Sequence, residues 1–439
     1  MKIGFISLGC AKNLTDAEIM AGILASKGHE LCSQTQDAEV VIVNTCGFID
    51  SAKEESISAI LEMAQLKEQN CKLLIVTGCL AQRYSEEFLE NFPEVDAVVG
   101  TGSYTEIAEI IDRASKGEKC VVTGDISAPI IEDERRINTC GAFAYLKIAE
   151  GCDNKCTYCI IPRLRGKYRS RKPESIIKEA EALAKEGVKE LIVIAQDTSR
   201  YGQDLEEDIS LAKLLGLLCK IENVEWVRVL YLYPEMITDE LIEAFVCNKK
   251  LVPYVDMPIQ HCNNTVLKRM GRRTSKEQIL KVISKLRENV KDITIRTSLI
   301  AGFPGETEEQ FSELLEFVKE VRFDRLGAFA YSKEEDTPAA LLPDQIPQKE
   351  KERRARAIIE AQSEISRQKQ KKKEGKILRV LTEGYDEENF MYYGRSESDA
   401  PEVDTLVYFA SEEETQIGTF ANVLILDSDE YDLTGKRLI

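Results

Sequence analysis

The run GCDNKCTYC places Cys152, Cys156 and Cys159 in one short loop. Three thiolates so closely spaced reach three corners of a four-iron cube. The next cysteine, Cys219, falls in a segment with a helical pattern, so no fourth ligand follows nearby. One iron is then left open to a small molecule. The amine and carboxylate of S-adenosylmethionine suit it as a chelate, and an electron from the cluster would cleave a carbon–sulfur bond of that cofactor to give a deoxyadenosyl radical. The plainer readings are a zinc site or apolar core cysteines. Structural zinc takes four ligands, commonly from paired CxxC, and this spacing fits that poorly. Tyr158, beside the third cysteine, packs either on an adenine ring or in the core.

A second triad is scattered along the chain. Cys10 ends SLGC, Cys46 sits in NTCG and Cys79 ends TGC. Each follows a short β-branched run and has a glycine neighbour. In a doubly wound sheet the C-terminal strand ends share one edge, where ligands bind, so the three thiols are expected to meet in space. Their glycines would let backbone approach a bulky cluster. Again there are three ligands, which suits a second [4Fe-4S] cluster with an open iron. The alternative is that cysteine here is an ordinary buried residue. Cys32, Cys71, Cys120, Cys140, Cys219, Cys247 and Cys262 share no such context and read as core or incidental. With only His29 and His261 present, a three-histidine metal site is excluded, and His261 reads as a structural group more than a pocket residue.

The elements that must position these residues fall into three regimes. Residues 1–125 alternate buried-strand runs (KIGFISLG, EVVIVNT, KLLIVTG) with helical patterns, an α/β doubly wound parallel sheet. The polar run Pro129 to Cys140 reads as a linker. Residues 138–365 hold six strand candidates, FAYLKIAE, ELIVIAQ, VEWVRVLYL, VPYVDMP, ITIRTSLI and DRLGAFAYS. Six βα units make a partial barrel, since closure takes eight. Chemistry in such barrels sits at the C-terminal strand ends. Gln196 and Asp197, ending the second strand, are candidates for the methionine ammonium. Arg296 is a candidate for its carboxylate. Ser298 and the turn Gly302 to Gly305 complete the cofactor-binding candidates. An ordinary strand-end role is the competing reading for each. No further catalytic side chain stands out. Residues 345–375 read as one long charged helix. Residues 374–439 switch to period-two alternation, a small antiparallel β-barrel of about five strands.

Of 439 residues, 43% are hydrophobic and 31% charged, as in a globular protein of several domains. No apolar run approaches the roughly 20 residues of a membrane span, and the start MKIGFISLGC lacks the pattern of a signal peptide. A cytoplasmic location is expected, where clustered cysteines bind metal or do redox chemistry and seldom pair. The net charge of −18 disfavours non-specific attraction to nucleic acid and suits a basic protein partner.

Both triads, with the partial barrel and the β tail, make the whole chain resemble the radical S-adenosylmethionine methylthiotransferases. LGCAKNLTDAE, NTCGFIDSAKEES, GCLAQRY and VVGTG are similar to that family's N-terminal signatures, and YLKIAEGCDNKCTYCIIPRLRGKYRSR to its radical segment. The tail resembles a TRAM domain. AQDTSRYG, LYLYPEMITDELI, YVDMPIQHCNNTVLKRMGRR and above all GRSESDAPEVD resemble the branch that modifies a ribosomal protein. The resemblance implies methylthiolation of the β-carbon of an aspartate in small ribosomal subunit protein twelve. It implies two [4Fe-4S] clusters, one S-adenosylmethionine as methyl source and a second as radical source, and a reducing electron donor. RNA contact would come only through the ribosome. The sequence departs from the pattern at Ala17, where serine is common, and at Asp336 and Thr405, where glycine is usual.

One observation bears on the substrate independently. From Lys376 to Ile439 there are 5 basic residues and 15 acidic ones, so the net charge is 5 − 15 = −10. An RNA-reading domain presents a basic face, whereas this tail attracts a lysine- and arginine-rich protein. The alternatives are the same chemistry on tRNA adenosine, or a non-enzymatic cluster-bearing redox sensor or RNA-binding module.

Overall fold

The computed structural model describes residues 1–132 and 136–438. These form two compact units. The first comprises Met1–Thr139, Lys147–Ser175 and Ser332–Ala340, and the second Cys140–Leu146, Ile176–Tyr331 and Leu341–Ile439.

In the first unit, β1 (Lys2–Ser7), β2 (Glu30–Cys32), β3 (Val40–Thr45), β4 (Leu73–Gly78), β5 (Ala97–Val99) and β6 (Cys120–Val122) form a parallel sheet in the order β2-β1-β3-β4-β5-β6. All six residues of β3 and of β4 are buried. Alternation sends Val40 and Ile42 to one apolar cluster with Met20, Leu24 and Ile111, and Val41 and Val43 to another with Ile60, Val76 and Phe88. Helices thus cover both faces, which is why these strands read as continuous apolar runs. The sequence reading missed β2, β5 and β6, each 3 residues long and too short to show a period.

The expected linker runs through residues 133–135, which lie outside the described residues. Beyond them the chain is tied down: Arg136 Nε and the Thr139 amide donate to the Glu18 carboxylate at 2.7 Å each.

In the second unit, β7 (Phe143–Lys147) begins a six-stranded sheet. Its other strands are β10 (Glu190–Ile194), β11 (Trp226–Val229), β12 (Leu251–Asp256), β13 (Thr294–Ala301) and β14 (Arg325–Ala330), while the short hairpin strands β8 (Ala149–Glu150) and β9 (Arg169–Ser170) belong to the first unit. The order is β14-β13-β12-β11-β10-β7, with parallel pairing from β10 to β14. The long helix spans Gln348–Lys371. The tail strands β15 (Ile377–Asp386), β16 (Met391–Ser396), β17 (Val407–Ala410), β18 (Phe420–Ser428) and β19 (Leu433–Arg437) close a five-stranded barrel around Val380, Phe409, Val423 and Ile425. Four ladders are antiparallel, and one parallel pairing of β17 with β19 completes the ring. Closure leaves no free edge.

The segment GRSESDAPEVD packs most of its charges onto the six-stranded sheet, although Glu397 and Glu402 stay exposed. Arg395 donates to Glu190 on β10 at 2.7 Å, Arg325 on β14 pairs with Asp399 at 2.5 Å, the Tyr145 hydroxyl on β7 donates to Glu402 at 3.0 Å, and the Tyr254 hydroxyl on β12 donates to Asp404 at 2.5 Å. Thr405 donates to Asp399 at 2.8 Å and accepts from Arg325 at 2.9 Å. The departure from glycine at this position therefore adds a partner to a buried network. Asp336 has φ +63°; glycine is favoured in that left-handed region, and aspartate tolerates it better than most residues. Ala17 lies in the apolar core, where a serine hydroxyl is not needed. No helix among the described residues is long and apolar enough to cross a membrane.

Candidate metal centre

The register Ser7–Asn44–Thr77 puts the ends of β1, β3 and β4 in one row. Cys10 caps the N-terminus of the helix Ala11–Ser26, Cys46 lies just past β3, and Cys79 opens the helix Cys79–Arg83 after β4. The glycines show how tightly the three loops converge. A Cβ on Gly9 would lie 2.7 Å from Cys46 Cβ and 3.1 Å from its Sγ, and one on Gly47 would lie 3.1 Å from the carbonyl carbon of Cys79. Gly9 also has φ +89°, so both backbone angle and space require glycine there.

Asn13 joins the loops. Its side-chain amide donates to Leu8 O at 3.2 Å and Thr45 O at 2.8 Å, while its oxygen faces Cys79 Sγ at 3.6 Å. Burial pushes the Cys46 thiol up to about 12, with the Cys79 and Cys10 charges acting in the same direction. The wholly buried Cys79 is raised for the same reason, opposed by the guanidinium of Arg165. The three thiols thus lie close enough to act on one another electrostatically.

The loop of the other triad is held at its base. The β8–β9 hairpin pairs Ala149 with Ser170 and Glu150 with Arg169. Gly151, at φ +81°, lies so close to the returning chain that a Cβ would sit 2.0 Å from Lys167 O. Cys152 N donates to Gly166 O and Cys159 N to Cys156 O, both at 3.1 Å. Cys152 and Cys156 are buried, and Cys159 and Tyr158 half-buried. The helix Ile161–Arg165 follows, and Ile160 and Leu164 pack on Cys79 and Phe48. Among the described residues, no three His, Cys, Asp or Glu side chains are gathered closely enough to hold a metal ion. Around one zinc, sulfurs stand about 3.8 Å apart, from a Zn–S bond of about 2.3 Å; on a cube each thiolate binds a different iron and the spacing is wider.

Sequence reasoning missed a buried ionic quartet beside Cys79. Lys147 pairs with Asp16 at 2.5 Å and Glu150 at 2.8 Å; Arg165 pairs with Asp16 at 2.5 Å and lies 3.4 Å from Glu150. All four residues are buried. The available signal was Lys147 in the middle of the apolar strand FAYLKIAE, because a buried lysine demands a buried counter-charge.

The cofactor-binding candidates of the partial barrel lie in the second unit. Asp197, just beyond β10, accepts from Ser199 Oγ at 2.5 Å, and Gln196 beside it is half-buried. Ser298 is half-buried on β13. Gly302 and Phe303 donate their amides to Glu306 at 2.9 and 3.2 Å, which fixes the turn after β13. The Arg296 guanidinium is held by Asp256 at 2.9 Å and by Asp404 at 3.5 Å. His261 is wholly buried, and its Nδ1 accepts from the Asn263 amide at 2.9 Å.

Comparison with known proteins names the regions. The family described as Uncharacterized protein family UPF0004 matches residues 2–100, the radical SAM superfamily residues 146–318 and the TRAM domain residues 375–438. The ribosomal protein uS12 methylthiotransferase RimO of Clostridioides difficile is 54% identical over 100% of this chain and 99% of its own. RimO of Acetivibrio thermocellus is 50% identical over 99% of this chain and 98% of its own. The chain belongs to the RimO family. Its radical SAM region makes it an enzyme of that class, with one [4Fe-4S] cluster and S-adenosylmethionine. Among solved structures, the RimO-family chain shares its fold with the radical S-adenosylmethionine methyltransferase TsrM of Kitasatospora setae. The TM-score is 0.58 at 13% identity, covering 77% of each chain.

Proposed function

We propose that this chain replaces a hydrogen on the β-carbon of an aspartate in ribosomal protein uS12 by a methylthio group. The observation that carries this reading is identity of 54% and 50% to RimO relatives over essentially the full length of both partners. In this reading Cys152, Cys156 and Cys159 hold the radical cluster, and Cys10, Cys46 and Cys79 hold a second, auxiliary [4Fe-4S] cluster. The auxiliary site belongs to residues 1–125, the radical chemistry to 138–365 and substrate contact to 374–439. When bound, the clusters and S-adenosylmethionine supply the radical and the methyl group. The chain's own groups supply the rest. The β8–β9 hairpin clamps the radical loop, Asn13 ties the auxiliary loops together, and glycines at positions 9, 47 and 151 keep backbone close to the ligands. Tyr158, Gln196, Asp197, Ser298 and Gly302 are candidates for holding S-adenosylmethionine. Arg296, with two carboxylates of the chain on its guanidinium, fits anchoring of the tail better. The chemistry also calls for a reducing electron donor.

The tail's charge supports a basic protein substrate. Nine carboxylates of the tail are exposed (Glu387, Glu388, Glu397, Glu402, Glu412, Glu413, Glu414, Asp427, Asp429), against three exposed cations (Lys376, Arg379, Lys436). Such a surface steers a cationic partner toward it and repels phosphate.

The test is anaerobic reconstitution followed by an iron count, expected at about eight per chain for two four-iron cubes. Turnover with uS12 should then yield deoxyadenosine and a methylthio group on an aspartate by mass spectrometry. Modification of adenosine in a parallel tRNA arm, with none on uS12, would overturn the reading.

A further inference from the structure

Arg165 lies six residues beyond Cys159 in the chain, yet its guanidinium reaches the other triad. Nη2 sits 3.4 Å from Cys79 Sγ and donates to Asn13 Oδ1. Nη1 is turned the other way, to Asp16 at 2.5 Å and Glu150 at 3.4 Å. The two carboxylates therefore fix the fork so that one edge of it faces the sulfur. The side chain is 2% exposed, so solvent does not screen it. Lys147 balances the quartet at zero net charge, two cations against two anions. The arrangement is thus an oriented N–H donor beside Cys79, with no surplus charge buried around it.

We propose that Arg165 is a positioning residue that tunes the auxiliary cluster by donating an N–H···S hydrogen bond to the Cys79 sulfur. The inference rests on the proposal that Cys10, Cys46 and Cys79 hold that cluster. A cluster gains negative charge on reduction, and hydrogen bonds to its sulfurs stabilise the more negative form. Arg165 therefore raises the reduction potential of the auxiliary cluster. Because the same residue closes the helix directly after the radical loop, the segment that ligates one cluster sets the electronic properties of the other.

The test uses full-length protein with Cys152, Cys156 and Cys159 replaced by alanine, so that only the auxiliary cluster remains. Its midpoint potential is read by EPR-monitored titration. Arg165→Met combined with Asp16→Asn removes donor and counter-charge together, leaves Lys147 and Glu150 paired, and should shift the potential to a more negative value. Arg165→Lys, which keeps the charge and loses the planar fork, should fall between. A purely structural ion pair would change iron retention and leave the potential where it was. A second readout does not rely on the potential. With 15N-labelled arginine, pulsed EPR of the reduced cluster should show a 15N hyperfine coupling that disappears in Arg165→Lys. Four irons with an unmoved potential, or no 15N coupling, overturns the role of Arg165 alone. Absence of iron from the protein lacking the radical triad overturns the auxiliary-cluster reading as well.

Discussion

Gly9→Ala tests the convergence of the auxiliary triad most directly. The substitution has two costs. Alanine at φ +89° costs about 1–2 kcal/mol in the left-handed region. The new methyl group would also stand 2.7 Å from Cys46 Cβ, where ordinary contact begins at 3.4 Å. Cys46 or the Gly9 backbone must then yield by 3.4 − 2.7 = 0.7 Å. Metal–ligand bond lengths lie within about 0.2 Å of their ideal values, so a shift of this size in Cys46 is expected to misplace its sulfur. Gly28→Ala is the matched control, because it has φ +85° and nothing within 4 Å of its Cβ. Both variants carry the same backbone strain, and only one disturbs the thiols. Anaerobic reconstitution with an iron count is the assay. Gly28→Ala should keep about eight irons and Gly9→Ala about four, the radical cluster alone. Equal iron in the two variants would show that the three strand ends do not form one site.

Three further outcomes follow from the second unit. Arg395→Met leaves Glu190 to Arg228 and takes away the cation that pairs with Glu383 in a buried network, and removing one partner of such a set costs about 3–5 kcal/mol. At about 2 °C per kcal/mol for a unit of this size, calorimetry of the metal-free protein should show a drop of roughly 6–10 °C, largely recovered by adding Glu383→Gln. Burial pushes His261 down to about 3, while an unfolded histidine titrates near 6.5. Between those values the unfolded chain holds the extra proton, so stability is lost as pH falls, by up to about 1.4 kcal/mol per pH unit; His261→Gln should flatten that slope in urea unfolding between pH 6.5 and 4. Reversing Glu412, Glu413 and Glu414 to lysine should lower kcat/KM for uS12 by about tenfold at low salt and little at high salt, while S-adenosylmethionine cleavage without uS12 stays unchanged.

Both sheets were legible because buried parallel strands leave continuous apolar runs, as in VVIVNT and LLIVTG. The places of Cys10, Cys46 and Cys79 after the strands β1, β3 and β4 were legible for a related reason, since each follows one of those apolar runs beside a glycine. The buried quartet was not legible as a unit. Asp16, Lys147, Glu150 and Arg165 lie on three segments up to 149 residues apart, and each alone reads as a solvated charge. Lys147 was the exception that could have raised the question. The edge strands escaped because 3 residues show no period. Asp336 stands at a position where glycine is usual, and its φ of +63° gives the physical reason.

The tail's charge also reads differently once its geometry is known. The count of −10 treats every carboxylate alike, yet Glu383, Asp399 and Asp404 are committed to Arg395, Arg325, Tyr254 and Arg296. Asp399 and Asp404 hold the closed barrel to the six-stranded sheet, and Glu383 steadies Arg395 where it reaches Glu190. GRSESDAPEVD, the stretch that most resembled the ribosomal-protein branch, therefore spends much of its chemistry on attachment. What remains for a substrate is the set of exposed carboxylates around Glu387 and Glu412 and at the end of β18 at Asp427. A branch signature of this kind can mark how a recognition domain is mounted as well as what it recognises. Substitutions inside GRSESDAPEVD should then change stability first, and substitutions at these exposed carboxylates should change substrate steering with the fold intact.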